Sequence, residues 1–297
     1  MTRVVAVTGA EGFVGRHVVD SLLAEPDIEV IRIVRPGTRT VEQGASRVFP
    51  LDVLGEDAGR RQLPTGVDAL VHLAWSGLDD FRSDVHLDQV EAHERFLQAW
   101  LASGVGRIVG VGTCLEYGLI EGELTESMPA DPVIAYAEGK AALSGALEEL
   151  AATFGASWTW ARVFYPYGDG QQPKSLWSSL QSAIARGHAT FPMSGGEQVR
   201  DYVHVDEVGS LLASLALSDE ASGVINVCSG QPIVLKDLVE GWIASLGAAI
   251  RPQLGVFPYP DYEPMKFWGS RRKLDQALVK RANPTSPKGS ERRRNFP

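Results

Sequence analysis

The chain opens on a short β-branched run, RVVAVTG, that stops at a glycine, and continues as GRHVVDSLLAE, where apolar residues return at helical spacing. This pattern predicts a strand, a tight turn and a helix. Further short apolar runs follow at 28–34 (IEVIRIV), 47–51 (RVFPL), 67–74 (VDALVHLA), 107–113 (RIVGVGT) and 157–164 (SWTWARVF). Helical periodicity lies between several of them, notably over 86–103 and 134–154. Near-continuous apolar strands alternating with helices predict a parallel sheet covered on both faces, a doubly wound α/β fold.

After about residue 165 the rhythm breaks: YPYGDGQQP is rich in turn formers, and RPQLGVFPYPDYEP is irregular and proline-rich. These segments predict a smaller lobe over the carboxyl ends of the strands, where ligands bind in such sheets. YVHVDEVGSLLASLAL and GVINVCSG can return to the main sheet. The expected division is 1–165 plus a returning segment at about 200–230 for the sheet domain, 166–199 and 231–285 for the lobe, and 286–297 for a flexible tail.

Composition narrows the class. With 297 residues, 44% of them hydrophobic, the chain can bury a sizeable core. Two cysteines, Cys114 and Cys228, cannot supply a disulfide framework or a four-cysteine metal site, which fits a reducing compartment. The first apolar run is too short for a secretion signal, and no stretch approaches the roughly 18 apolar residues of a membrane span. A cytoplasmic protein without a membrane partner is therefore expected. The net charge of −9 is uneven: residues 271–297 carry +7, leaving −16 for the body. An acidic body argues against a nucleic-acid partner, and KGSERRRNFP reads as a solvated terminus or a basic binding tail.

Candidate chemistry begins at TGAEGFVG, where Gly9, Gly12 and Gly15 stand between the first strand and the helix opened by Phe13 and Val14. Small residues there let a pyrophosphate approach backbone N–H groups and the positive end of a helix. The spacing, G-x-x-G-x-x-G, differs from the G-x-G-x-x-G fingerprint. The second strand ends IRIVRPG, with Arg35 and no carboxylate. An Arg there accommodates a 2′-phosphate, so NADPH is expected over NADH, with NAD still possible and a plain surface Arg the alternative. Asp52, with Val53 beside it, can accept a bond from an adenine amino group or cap the next turn. Leu73 and Ala74 would line the cofactor cleft, with Trp75 next to them on the substrate side and His72 a packed strand residue. In AYAEGKAAL, Tyr136 and Lys140 occupy i and i+4 of a helix and share a face. A lysine ammonium near a phenol lowers the tyrosine pKa and makes it a proton donor and acceptor near neutral pH. Thr113, ending the strand RIVGVGT, can hold a carbonyl oxygen by its hydroxyl.

With TGAEGFVG, VHLAW, GTCLEYG, YAEGK, ARVFYPYG, RDYVHVDEV and INVCSG in this order, the sequence resembles the extended short-chain dehydrogenase/reductase family of sugar-nucleotide epimerases, dehydratases and reductases. The resemblance implies a Rossmann domain, a C-terminal substrate lobe and a homodimer built from the helices near 86–103 and 134–154. It implies Tyr136 as catalytic acid/base, Thr113 as its partner at the carbonyl, and Lys140 as ligand of the nicotinamide ribose. Arg200 matches a position that contacts the nucleotide diphosphate, with an ion pair to Asp201 or Asp206 as the alternative. The family's 4,6-dehydratases follow the Thr with an acidic pair, where this chain has Cys114 and Leu115, so elimination lacks its proton donor. Tyr165 stands where relatives carry an Asn that holds the diphosphate, which puts nucleotide contacts there in doubt. The reading that results is NADPH-dependent reduction of the C4 ketone of a nucleotide-linked, dTDP-type 4-keto-6-deoxyhexose. The alternatives are a C4 epimerase with tightly bound NAD and a non-catalytic cofactor sensor. Trp177 and PYPDYEPMKFW can shape the substrate face or simply pack.

Overall fold

The computed structural model describes residues 2–40, 43–59 and 62–279. The expected tail, 286–297, lies outside them. Seven strands, β1 (Arg3–Thr8), β2 (Ile28–Val34), β3 (Ser46–Pro50), β4 (Ala69–His72), β5 (Arg107–Thr113), β6 (Ser157–Val163) and β7 (Gly223–Val227), form one sheet. Every pairing in it is parallel, and the order is β7-β6-β5-β4-β1-β2-β3. The strands stay parallel, but the order in which the chain adds them reverses between β1 and β4, which opens a crevice at their carboxyl ends.

The two-residue alternation of strand side chains decides what covers each face. Val5, Val7, Val71 and Val109 point to one side, where α1 (Phe13–Leu23) contributes Val18, Val19 and Leu22. Ala6, Ile31, Leu70 and Ile108 point to the other. There α2 (Val90–Ala102) sets Phe96, Leu97 and Trp100, and α3 (Ala135–Phe154) sets Leu143 and Leu147. Most of these side chains are fully buried, each worth about 1.5–3 kcal/mol on removal from water.

The lobe has its own core. Leu180 and Ala183 of α4 (Leu176–Ala185) pack with Phe191 and with Leu238, Val239 and Trp242 of a later helix. The strands Thr190–Pro192 and Arg251–Gln253 pair beside them. Between these pieces α5 (Val205–Leu217) and β7 return to the sheet domain, α5 burying Leu212 and Leu215 in the cluster that holds α1. The later helix is α6 (Leu235–Ser245), and the last is α7 (Arg272–Val279).

Three boundaries differ from the sequence expectation. The strand expected over 67–74 is shorter, because the Thr8 hydroxyl takes the N–H groups of Leu73 and Ala74 and draws them out of the ladder. The helix expected over 86–103 is divided at Gln89 into Val85–Asp88 and α2, and the Gln89 side chain bonds the backbone of Ser76. The lobe expected to run through 231–285 gives up α7, whose Leu274 and Ala277 join the sheet-domain cluster with Ile225 of β7. Among the described residues no helix is long and apolar enough to cross a membrane.

Candidate active site

A cavity of about 920 Å³ opens where β1, β4 and β5 end, walled by the sheet domain below and the lobe above. At its floor the turn after β1 carries Gly9 at φ +63° and closes by a bond of 2.9 Å from the Gly12 N–H to the Gly9 carbonyl. A Cβ on Gly15 would overlap that carbonyl, so only glycine lets the helix start this close to the strand. Gly12 is the N-cap and brings no side chain, so the start of α1 has no side-chain cap where Phe13, Val14 and Gly15 line the cavity. An uncapped helix start of this kind suits a pyrophosphate, so these residues fit a dinucleotide.

Arg35, at the end of β2, lines the same end of the cavity and donates to the Ser76 hydroxyl at 2.8 Å. Glu11 of the glycine turn pairs with Arg32 at 2.8 Å. Asp52 and Val53 also line the cavity, and the Asp52 carboxylate caps its own turn by accepting from the Leu54 N–H at 3.2 Å.

Leu73, Ala74 and Trp75 form the wall after β4, anchored by a buried polar chain. The Thr8 hydroxyl lies 3.0 Å from His72 Nδ1, His72 Nε2 lies 2.9 Å from His93 Nδ1, and His93 Nε2 lies 3.3 Å from Gln89 Oε1. The Trp75 ring lies parallel to His93 with centroids 4.6 Å apart, and its Nε1 donates to His86 at 2.9 Å. His72 is packed, as its strand position suggested.

Opposite stand the three residues of candidate chemistry. Thr113 ends β5, and Tyr136 and Lys140 share the inner face of α3, all lining the cavity. Lys140 Nζ donates to the Val111 carbonyl at 2.8 Å and sits 4.0 Å over the Trp75 ring. Burial pulls this ammonium down to about 7, although the Glu116 carboxylate works to raise it. The Tyr136 ring stacks on Phe81 at 4.7 Å. Burial, reinforced by Glu116 and Cys114, pushes its phenol above the usual tyrosine value, and a hydrogen bond with the Thr113 side chain pulls the other way. The expected lowering of Tyr136 by Lys140 is thus reversed: desolvation of the phenolate outweighs it, and the ammonium is committed to Val111 and Trp75. Cys114, next to Thr113, is buried and its thiol is pushed up, chiefly by burial.

On the lobe side Tyr165, Trp177, Tyr202, Tyr262 and Glu263 line the cavity. Arg200 does not. Its guanidinium is buried, bonds Glu263 at 2.9 Å and the Met265 carbonyl at 3.1 Å, and lies 4.5 Å over the Phe267 ring. The expected exposure to a diphosphate is therefore not met, and its ion-pair partner is Glu263 rather than Asp201 or Asp206. Asp201 instead accepts from the backbone of Ser229 and Gly230.

Sequence reading missed Phe81, His93, Gln89 and Glu116. For the first three the pattern holds no local signal. Glu116 had one: it stands three residues after Thr113, and T-x-x-E is a capping box, here closed by bonds in both directions.

A family model described as the NAD dependent epimerase/dehydratase family matches residues 5–228. The chain is 30% identical over 271 residues to the dTDP-6-deoxy-L-talose 4-dehydrogenase (NAD(+)) of Aggregatibacter actinomycetemcomitans, covering 90% of this chain and 99% of the relative. It is 28% identical to the UDP-glucose 4-epimerase of Corynebacterium glutamicum, covering 79% and 78%. Among solved structures, the dTDP-glucose 4,6-dehydratase of Streptomyces venezuelae, with NAD bound, superposes at a TM-score of 0.78 and 28% identity, covering 93% of this chain and 90% of that one.

Proposed function

The chain belongs to the NAD dependent epimerase/dehydratase family, and from that premise we propose that it is a ketoreductase, using NADPH to reduce the C4 ketone of a nucleotide-linked, dTDP-type 4-keto-6-deoxyhexose. The observation that carries this reading is the meeting of Thr113, Tyr136 and Lys140 at one cavity wall, with Cys114 and Leu115 where an elimination would need acids. The next acid along, Glu116, is bound by Arg162 and Trp160 and is not free to serve a leaving hydroxyl.

Bound nicotinamide supplies the hydride. The Thr113 hydroxyl orients the ketone oxygen, and Tyr136, kept protonated by its surroundings, gives that oxygen its proton. Lys140 contributes positive charge at the ribose side. Arg35, free of any neighbouring carboxylate partner among the described residues and bonded to Ser76, supports the 2′-phosphate and hence NADPH. The name of the talose dehydrogenase relative, a 4-dehydrogenase of a dTDP-6-deoxysugar, supports the substrate class, while its NAD(+) dependence favours NADH as the competing cofactor. The epimerase relative supports a second reading, redox-neutral inversion at C4 with retained NAD by the same three residues.

Incubation with NADPH or NADH and a panel of nucleotide 4-keto sugars separates these. A reductase consumes one equivalent of reduced cofactor per sugar, whereas redox-neutral turnover with retained cofactor would sink the proposal. Tyr136→Phe should lose nearly all turnover while keeping cofactor affinity; a cofactor sensor would be indifferent to it.

A further inference from the structure

Ser76, in the segment after β4, is flanked by two fixed residues. Before it, the Trp75 ring lies on His93 and donates to His86. After it, Gly77 turns at φ +79°, where a Cβ would overlap the Val85 side chain. Ser76 itself is clamped by one carboxamide: its N–H donates to Gln89 Oε1 at 3.1 Å, and its carbonyl accepts from Gln89 Nε2 at 3.3 Å. Gln89 is buried, and its Oε1 also accepts from His93 Nε2 at 3.3 Å, so the clamp ends the polar chain that runs back through His72 to Thr8. Both clamp bonds are made to the Ser76 backbone. The hydroxyl is left over, and it accepts from Arg35 Nη2 at 2.8 Å.

That bond joins two sides of the site. Because β1 lies between β2 and β4, Arg35 just past β2 and Ser76 past β4 flank the glycine turn, and both line the cavity. Arg35 is exposed, and an exposed arginine loses much rotamer freedom when a ligand fixes it. The Ser76 hydroxyl restricts the side chain beforehand. It does so through Nη2 alone, leaving Nε and Nη1 without a partner among the described residues, donors that an anionic oxygen can take.

We infer that Ser76 is a positioning residue that sets cofactor choice: its hydroxyl, held in place by the Gln89 clamp, presents Arg35 already ordered to the 2′-phosphate. The identity of that ligand rests on the NADPH reading proposed above. Ordering the arginine before binding strengthens only the interaction that uses the arginine, so the gain falls on NADPH and not on NADH.

The test is calorimetric binding of NADPH and of NADH to the full chain without sugar substrate. Ser76→Ala removes the hydroxyl and leaves both Gln89 bonds available, since these go to the backbone. It should weaken NADPH by about five- to tenfold, the range of one hydrogen bond, and leave NADH within about twofold. In an Arg35→Ala background the same substitution should have no further effect on NADPH, because Ser76 acts through the arginine. Equal weakening of both cofactors would mean that Ser76 merely holds the segment together, and it overturns the inference. So does an undiminished effect in the Arg35→Ala background, which would mean direct contact with the phosphate. An inert Ser76→Ala beside a damaging Arg35→Ala sinks this inference alone, whereas Arg35→Ala binding NADPH as tightly as wild type overturns the NADPH reading and this inference with it.

Discussion

Mild acid should act on this fold first through His72 and His93, and the hydrogen-bond directions say why. The Thr8 hydroxyl accepts from the N–H groups of Leu73 and Ala74, so its own proton goes to His72 Nδ1. His72 then donates from Nε2 to His93 Nδ1, and His93 from Nε2 to Gln89. Both rings are neutral with every nitrogen committed, and one further proton would set two donors against each other. Burial first, and the Lys140 charge second, hold His93 down to about 3. Burial, then His93, then Lys140, hold His72 well below the usual value. The unfolded chain binds these protons near pH 6.5. Both folded values are depressed, so the stabilisation is full above about 6.5 and is lost as pH falls towards about 3. From pH 7 to pH 5 the loss from His93 is about 2 kcal/mol, a sizeable part of the 5–15 kcal/mol typical of a domain, and His72 adds to it in the same direction. Urea unfolding at both pH values, for wild type and His93→Gln, measures it. The variant should lose about 2 kcal/mol less across the interval, and comparing each protein with itself removes the direct cost of the substitution. Equal losses would refute the neutral chain.

Three more outcomes follow from the site. Gly15→Ala presses a methyl on the Gly9 carbonyl, an overpacking worth about 1–3 kcal/mol, and should weaken NADPH binding more than tenfold by calorimetry; unchanged affinity would remove the turn from the cofactor site. Arg35→Ala should weaken NADPH by about 10- to 100-fold and leave NADH nearly unaffected, the range expected for a lost hydrogen bond to a charged group; equal effects on both would refute the 2′-phosphate role. Because Lys140 releases its proton at about 7, cofactor affinity measured by fluorescence should fall as pH rises above 7 in wild type and stay flat in Lys140→Met. A flat wild-type profile would show that the ammonium takes no part in binding.

The sheet and the glycine-turn end of the cavity were legible because their signals are local. Strands such as VVAVT and IEVIRIV are continuous apolar runs, and the glycine turn lies between two elements whose periods differ, so both appear within a short window. The lobe end was not legible. Arg200 has its charge met by Glu263, 63 residues later, across a contact that no period encodes. His72 and His93 likewise meet only because β4 and α2 pack, and a lone histidine in either element looks like ordinary core.

The pair Tyr136 and Lys140 marks where spacing stops being informative. A separation of four on a helix fixes a shared face, and both side chains do line one cavity wall. It does not fix which partner each finds there. Trp75 arrives from the segment after β4, stacked on His93, and offers the ammonium a π face 4.0 Å away, while the Val111 carbonyl offers an acceptor at 2.8 Å. A desolvated cation gains about 2 kcal/mol from such a ring, and a hydrogen bond from a charged donor adds about 1.5–3 kcal/mol. Together these hold Lys140 without calling on the phenol. The phenol, left with burial and the Glu116 charge, stays protonated. A site poised this way gives a proton to a developing alkoxide more readily than it takes one from an alcohol. That protonation state is the one the proposed ketone reduction requires of its proton donor.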